Sequence, residues 1–495
     1  MSQVVGEYRN AIAGDWVESE SGARFEDRNP ATGELIATFP RSTAADADQA
    51  VAAAHEAYQS WRLVPAPKRA EILFRVAEIL RDDKRELTEL MTREMGKVVA
   101  EAGGDVQEGI DMTYYMAGEG RRMFGQTVPA EMPNKFAMSV RQPMGVVAVI
   151  TPFNFPMAIP TWKLMPALVT GNTAVFKPAE DTPLLAAKLM EIFERAGLPA
   201  GVVNVVNGPG EVVGQRLLEH PDVKVISFTG SKEVGIHVAT TAARTLKRVH
   251  LELGGKNAII VMDDANLENA AEGILWSAFG TSGQRCTAAS RVIVHERVYG
   301  RLAAILVERA EGLRIGDGLD PSVQIGPLIN AAALEKVHRY TGIGRDEGAT
   351  ILTGGEPVTG AGEGYFYRPT IFGDVERDMR VATEEIFGPA TSLIRCRDLD
   401  DAIAISNRVE YGLSSAIYTD RIDDAFRAIR DLDTGITYIN AGTIGAEIQL
   451  PFGGTKYTGN GHREAGQAAL DTYTEWKSVY VDYSGRLQRA QIDNQ

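Results

Sequence analysis

The spacing of hydrophobic positions changes several times along this chain. In PKRAEILFRVAEILRD, Pro67–Asp82, the residues Ile72, Leu73, Val76, Ile79 and Leu80 recur at helical spacing. They sit behind a proline suited to a first turn, so the stretch predicts a helix. A second helix is predicted over Leu184–Ala196, stopped by Gly197-Leu198-Pro199. Short β-rich runs lie between the helical patterns: Val146–Ile150, Thr173–Phe176, Val202–Val206, Val223–Phe228, Val249–Leu251 and Ala258–Val261. Several lack apolar–polar alternation, as strands covered on both faces do. Strand–helix alternation predicts an open parallel α/β sheet. The same mixture restarts after about Gly255, with strands near Arg291–Val294 and Ser392–Ile394, which predicts a second α/β domain. Two strand-like stretches, Ala137–Pro143 and Thr472–Tyr483, stand apart. Tyr473, Trp476, Val479 and Tyr480 give the latter an adhesive edge, read as an oligomerisation feature. The final SGRLQRAQIDNQ is polar and reads as a tail or docking arm.

Composition narrows the class. The 495 residues are 44% hydrophobic and 24% charged, which suits a large globular protein of more than one domain. A formal charge of −15 makes nucleic acid an unfavourable partner. Two cysteines build no disulfide framework and suggest a reducing compartment. The opening MSQVVGEYRN lacks an apolar signal core, and the apolar run around Gly145–Pro152 is too short for a bilayer. The expected location is cytoplasmic. The seven histidines have no metal-ligand spacing, so no metal site is expected.

Candidate chemistry gathers at strand ends. Cys286, in GTSGQRCTAAS, lies among polar and flexible neighbours beside Arg285, where packing, metal binding and nucleophilic attack all compete as readings. NGPGEVVG, Asn207–Gly214, follows a strand and fits either a tight turn or the approach of a dinucleotide. FTGSKEVG, Phe228–Gly235, opens a helix at which Gly230 and Ser231 are placed to offer backbone donors to a diphosphate. Lys177 and Glu180, in KPAE, suit ribose hydroxyls or a solvated loop end. Glu252, in LELGGKN, ends a buried strand, where a carboxylate is costly unless used or paired. It suits a general base, an ion pair or a cap. In TPFNFP, Asn154 sits between two aromatics and suits an oxyanion donor or a turn.

Taken in order, TPFNFP, PAL-TGN-AVFKPAE, FTGSKEVG, LELGGKN, GQRCTA, EEIFGP and PFGGTKYTGNG-RE-G resemble the aldehyde dehydrogenase superfamily over nearly the whole chain. Glu252 precedes Cys286 by 34 positions and Asn154 by 132, which also fits. The resemblance implies an α/β fold with a Rossmann-type cofactor domain (1–123 and 144–254), an α/β catalytic domain (255–469) and a small β oligomerisation element with the C-terminal tail (124–143 and 470–495). It implies Cys286 as nucleophile, Asn154 and the Cys286 N–H as oxyanion donors, Glu252 as the base that hydrolyses a thioester, and Lys163 in a supporting proton relay. It implies NAD, with NADP as an alternative, held by Ile150, Thr151, Pro152, Phe153, Lys177, Glu180, Gly210, Phe228, Gly230, Ser231, Val234, Gly235, Leu253, Glu385 and Phe387. A homodimer or homotetramer acting on a small aldehyde is expected.

Two features bear on substrate. Arg285, and Glu108 in VQEGIDMTYYMAGEG, look similar to residues of the antiquitin-like aminoadipate semialdehyde dehydrogenases, and so does GAEIQLPFGG. YYMAGEGRR and CTAASRVIV look similar to 2-oxoglutarate semialdehyde dehydrogenases. Both branches imply an aldehyde with a distal carboxylate, for which an arginine fork is the right anchor. A structural Arg285–Glu108 ion pair competes with that use. Cys396, in SLIRC, is expected to pack.

Overall fold

The computed structural model describes residues 6–359 and 363–493. Its first seven-stranded sheet holds five parallel strands: Val146–Ile150, Thr173–Lys177, Val203–Val205, Val223–Thr229 and Arg248–Glu252. Their spatial order, counted along the chain, is 5-4-1-2-3, and the antiparallel strands Asn10–Ile12 and Asp15–Val17 extend the far edge. The order reverses between Val146–Ile150 and Val223–Thr229. A crevice opens beyond the carboxyl ends of two such strands, and that is where open α/β sheets bind ligands. TPFNFP and FTGSKEVG follow those two ends.

The missing alternation has a plain cause. Val147, Val149, Ala174 and Phe176 pack against helices on one face, among them Ala66–Asp82, Val99–Glu119 and Ala158–Thr170. Val146, Ala148 and Val175 pack on the other face against Ala47, Ala50 and Val51 of helix Ala44–Trp61. Side chains alternate between faces, and both faces are dry.

The second seven-stranded sheet has the order Thr350–Thr353, Thr370–Gly373, Ala390–Cys396, Ala289–His295, Asn257–Val261, Ser414–Tyr418, Ile436–Ile439, parallel except for the first strand. Cys396 is buried in its core, and burial pushes the thiol up to about 12, as expected of a packing residue. The two detached stretches pair with each other: Lys135–Pro143 runs antiparallel to Thr474–Asp482, from Pro143↔Thr474 to Lys135↔Asp482. The described part of the tail is tied back by a bond from Gln488 Nε2 to the Pro133 carbonyl (2.7 Å). Its last two residues lie outside the described residues.

Candidate active site

Cys286 sits on a tight loop between helix Leu267–Phe279 and strand Ala289–His295. Thr281 and Ser282 both have positive φ, 52° and 54°, which is a strained conformation for a β-branched residue. Glu101, from helix Val99–Glu119, holds them: its carboxylate accepts the Thr281 N–H (3.0 and 2.8 Å) and the Thr281 hydroxyl (3.2 Å). Asn257 Nδ2 donates to the Cys286 and Ala288 carbonyls (2.7 and 2.9 Å). Gly255 is required beside it, because a Cβ there would stand 2.5 Å from the Cys286 carbonyl oxygen. Burial pushes the Cys286 thiol up to about 12, with Glu252 and Glu385 adding to the shift. Only ~10⁻⁵ of such a thiol is ionised at pH 7, so attack requires a nearby base.

Two partners stand close by. The Cys286 N–H has no hydrogen bond among the described residues. Buried Asn154 donates from Nδ2 to the Gln284 carbonyl (3.0 Å), which fixes the amide and leaves its second N–H unused. Glu252 ends strand Arg248–Glu252 only 3% exposed, and neither carboxyl oxygen has a hydrogen-bond partner. Burial holds its pKa well above the usual carboxylate range. Glu464 raises it further, against the opposing pull of Lys163 and Arg463. Lys163, on helix Ala158–Thr170, makes an ion pair with Glu464 and donates to Ser227 Oγ (3.2 Å).

A cavity of about 260 Å³ leads to these groups, lined among others by Glu108, Phe155, Trp162, Trp276, Arg285 and Cys286. The competing expectation of an Arg285–Glu108 ion pair is corrected here. Arg285 pairs with Glu101 (Nη2 to Oε1, 3.4 Å), donates from Nε to Thr281 Oγ1 (2.9 Å), and lies 4.9 Å over the Trp276 ring. About two helical turns separate Glu101 from Glu108, and the loop residue Thr281 engages Glu101. Arg285 Nη1 keeps its donors without a partner among the described residues. Burial pushes Glu108 up to about 8, so it is largely neutral at pH 7. The nearby Asp105 is neutralised by Lys97 (2.7 Å, both side chains fully buried).

The crevice at the reversal of strand order presents the remaining residues. Ser231 caps helix Lys232–Ala243 by accepting the Val234 N–H (3.3 Å), and the helix start is open to solvent. Val234 is exposed, and Gly210 has open space around it. A side chain at Gly230 would overlap the Phe228 ring, and one at Gly235 would overlap Leu253. Lys177 Nζ donates to the Pro178 carbonyl (2.8 Å), and burial lowers its pKa. Glu180 is half-exposed and lies 3.8 Å from Arg41. Ile150, Thr151, Pro152 and Phe153 lead from the central strand toward Asn154, and the Phe153 ring meets Phe387 edge-on (6.0 Å, 88°). Glu385 accepts the Gly255 N–H (2.9 Å), and a side chain at Gly254 would fill the space its carboxyl takes. These residues fit a dinucleotide: a helix N-terminus for the diphosphate, polar groups for a ribose, and an apolar wall for a ring.

A switch-point crevice opening onto a half-buried cysteine and a buried amide and carboxyl is the layout of an α/β oxidoreductase with a thiol at its centre. Comparison with known proteins makes the class specific: a model of the aldehyde dehydrogenase family matches residues 16–479, and the chain belongs to that family. It is 43% identical over 477 residues to the alpha-ketoglutaric semialdehyde dehydrogenase of Bacillus subtilis, covering 96% of this chain and 98% of the relative. It is equally 43% identical over 477 residues to malonate-semialdehyde dehydrogenase 3 of Geobacillus kaustophilus, with the same coverage of each. Among solved structures, the betaine aldehyde dehydrogenase of Staphylococcus aureus in complex with NAD+ superimposes with a TM-score of 0.95 at 32% identity, covering 97% of this chain and 95% of that one.

Proposed function

We propose that this aldehyde dehydrogenase uses NAD to oxidise a short semialdehyde carrying a distal carboxylate. The observation that carries the substrate class is the electrostatic state of the cavity. Each carboxyl lining it is offset: Glu101 by Arg285, Asp105 by Lys97, Glu464 by Lys163, Glu108 by protonation, and Glu252 by a burial-driven shift toward its neutral form. A substrate carboxylate therefore meets the uncommitted Nη1 donors of Arg285 and the acid proton of Glu108, not a negative wall. The names of the two bacterial relatives point the same way.

Cys286 adds to the aldehyde carbon while its thiol proton passes to water, and the Asn154 amide and Cys286 N–H receive the oxygen charge. Bound in the crevice, NAD supplies the two-electron acceptor that turns the adduct into a thioester. Glu252 then draws a proton from water as its oxygen bonds to the thioester carbon, which releases the acid and restores the thiol. Lys163 supports this step through Glu464. Lys177 and Glu180 hold the adenosine ribose, Gly210, Phe228, Gly230, Ser231, Val234 and Gly235 flank the diphosphate and adenine, and Ile150–Phe153, Leu253, Glu385 and Phe387 frame the nicotinamide end. Glu180 repels a 2′-phosphate, and Arg41 and Lys177 temper that repulsion, so NAD is preferred and NADP tolerated. The domain division at 1–123 and 144–254, 255–469, and 124–143 with 470–495 is supported by the separate strand sets of the three sheets. Trp476 and Tyr480 stay exposed on the strand Thr474–Asp482, which supports assembly into a dimer or tetramer. No helix among the described residues is long and apolar enough to cross a membrane, and a cytoplasmic location agrees with the reduced cysteines.

An NADH-absorbance screen over straight-chain, aromatic and carboxylated aldehydes tests the reading, and carboxylated semialdehydes should give the highest kcat/KM. Arg285→Ala should raise KM for them by about 10²-fold, the scale of a lost charge-assisted pair, and change it little for a neutral aldehyde. Equal losses on both would remove the carboxylate anchor. Asn154→Ala should lower kcat by roughly 10²-fold, the scale of one lost oxyanion donor.

A further inference from the structure

His250 stands two residues before Glu252 on the same strand, so both side chains leave the same face. The imidazole is 1% exposed. Its Nδ1 lies 3.4 Å from Glu464 Oε1 and 3.5 Å from Ser227 Oγ. Its Nε2 lies 3.7 Å from Glu252 Oε1 and has no hydrogen bond, as is true of both Glu252 oxygens. A buried acid and a buried base, each unpaired, thus face one another. With the hydrogen on Nδ1, toward the Glu464 carboxylate 3.4 Å away, Nε2 presents its lone pair to Glu252.

We propose that His250 is a positioning residue that takes up the Glu252 proton, held in place by Glu464, so that Glu252 works as a base without first losing its proton to solvent. The inference rests on the assignment of Glu252 as the hydrolytic base. The proton steps balance within the site. As water approaches, the Glu252 acid closes the 3.7 Å gap to Nε2 and its proton moves there. The freed carboxylate takes a proton from water while the water oxygen bonds to the thioester carbon. As the C–S bond breaks, the Cys286 thiolate takes that proton from Glu252. The Nε2 proton then returns to Glu252, and the original tautomer is restored.

The surroundings supply both the need and the balance. Burial and Glu464 shift Glu252 toward its protonated form, and a base must shed that proton before it acts. His250 is held neutral by burial and by Lys163, His462 and Arg463. Lys163 comes from helix Ala158–Thr170, Ser227 from strand Val223–Thr229, Tyr473 from helix Ala469–Tyr473 (its hydroxyl donates to Ser227 Oγ, 3.0 Å), and His462, Arg463 and Glu464 from the segment after Phe452. Burial penalises each charge alone. When the proton crosses, a carboxylate and an imidazolium appear together, with a second carboxylate on Nδ1, and their attraction offsets that penalty.

His250→Asn tests the proposal, because its amide retains a donor for Glu464 and places nothing at the Nε2 position. The readout is the decay of the acyl-Cys286 mass after rapid quench, followed against pH, with first-turnover NADH as the check that the site is folded. Expected are one NADH per site as in wild type, acyl decay about tenfold slower at pH 7, and an acidic limb displaced by about one pH unit to higher pH, with recovery at alkaline pH. His250→Gln, whose longer amide reaches the Nε2 position but takes up no proton, should decay as slowly as His250→Asn, and it gives the same readout if the asparagine variant fails to fold. A decay profile superimposable on wild type, or one lowered equally at every pH, overturns the proposal. Glu252→Gln run in parallel separates the two ideas. Normal acyl decay in that variant removes the base assignment itself, whereas a stalled Glu252→Gln beside an unaffected His250→Asn removes only the role of His250.

Discussion

Cys286→Ala is expected to reduce aldehyde-dependent NADH formation to background while leaving NAD binding and the melting temperature close to wild type. The size of the effect follows from the chemistry. The thioester has no other sulfur to form on, since Cys396 is buried in the second sheet's core with a thiol pushed up to about 12. A neighbouring hydroxyl does not substitute either: the Thr281 and Ser282 hydroxyls are committed to Glu101 and to the Gly326 carbonyl (2.7 Å). The loop should survive the change, because the bonds that shape it go to the Cys286 carbonyl and to Thr281, not to the sulfur. Aldehyde-dependent NADH production by Cys286→Ala at a rate near wild type would remove the nucleophile assignment.

The second large effect is expected at Glu252. Glu252→Gln should lower steady-state turnover on the order of 10³-fold, within the range for loss of a general base. The amide is close to isosteric, and the carboxyl oxygens hold no hydrogen bond in the structure, so packing is kept and the loss is chemical. The pH dependence carries a definite sign. Glu252 acts as base only when deprotonated, and its pKa is raised by burial and by Glu464. Because His250 takes up the Glu252 proton within the site, wild-type deacylation should fall only where acid adds a second proton to the Glu252–His250 pair, rising with pH on that acid side and then levelling off, and the variant should lack that limb. A stopped-flow pH series reads both.

How much of this was legible in the sequence depends on where each signal resides. Strands such as Val146–Ile150 were legible because both faces are buried and the run is continuously apolar. Most candidate site residues stood out because they lie in short glycine- or proline-marked motifs beside strand ends or helix starts, whereas Lys163 and Glu108 lie inside helices. Glu101 was not, since an acidic residue in the first turn of a helix is ordinary and it acts on a loop 180 positions away. Nothing local distinguishes it from a solvated helix face, and its capture of Thr281 is also why Arg285 pairs with it and not with Glu108. Asn257 and Glu464 lay inside motifs already singled out, LELGGKN and the RE of PFGGTKYTGNG-RE-G, but their partners are set by tertiary packing. His250 had the one sequence signal that was available and unused: in a strand, a residue two places before a buried carboxylate shares its face. The pairing of Lys135–Pro143 with Thr474–Asp482 spans over 300 positions, so the sequence marked the two edges without joining them.

The most direct measurement of the central claim is the intact mass of Glu252→Gln quenched within the first turnover with NAD and a carboxylated semialdehyde. The account predicts one equivalent of NADH and one acyl group per chain, with peptide mapping placing the acyl mass on Cys286. NADH formed with no added mass, or the same mass found on a Cys286→Ala chain, would contradict it.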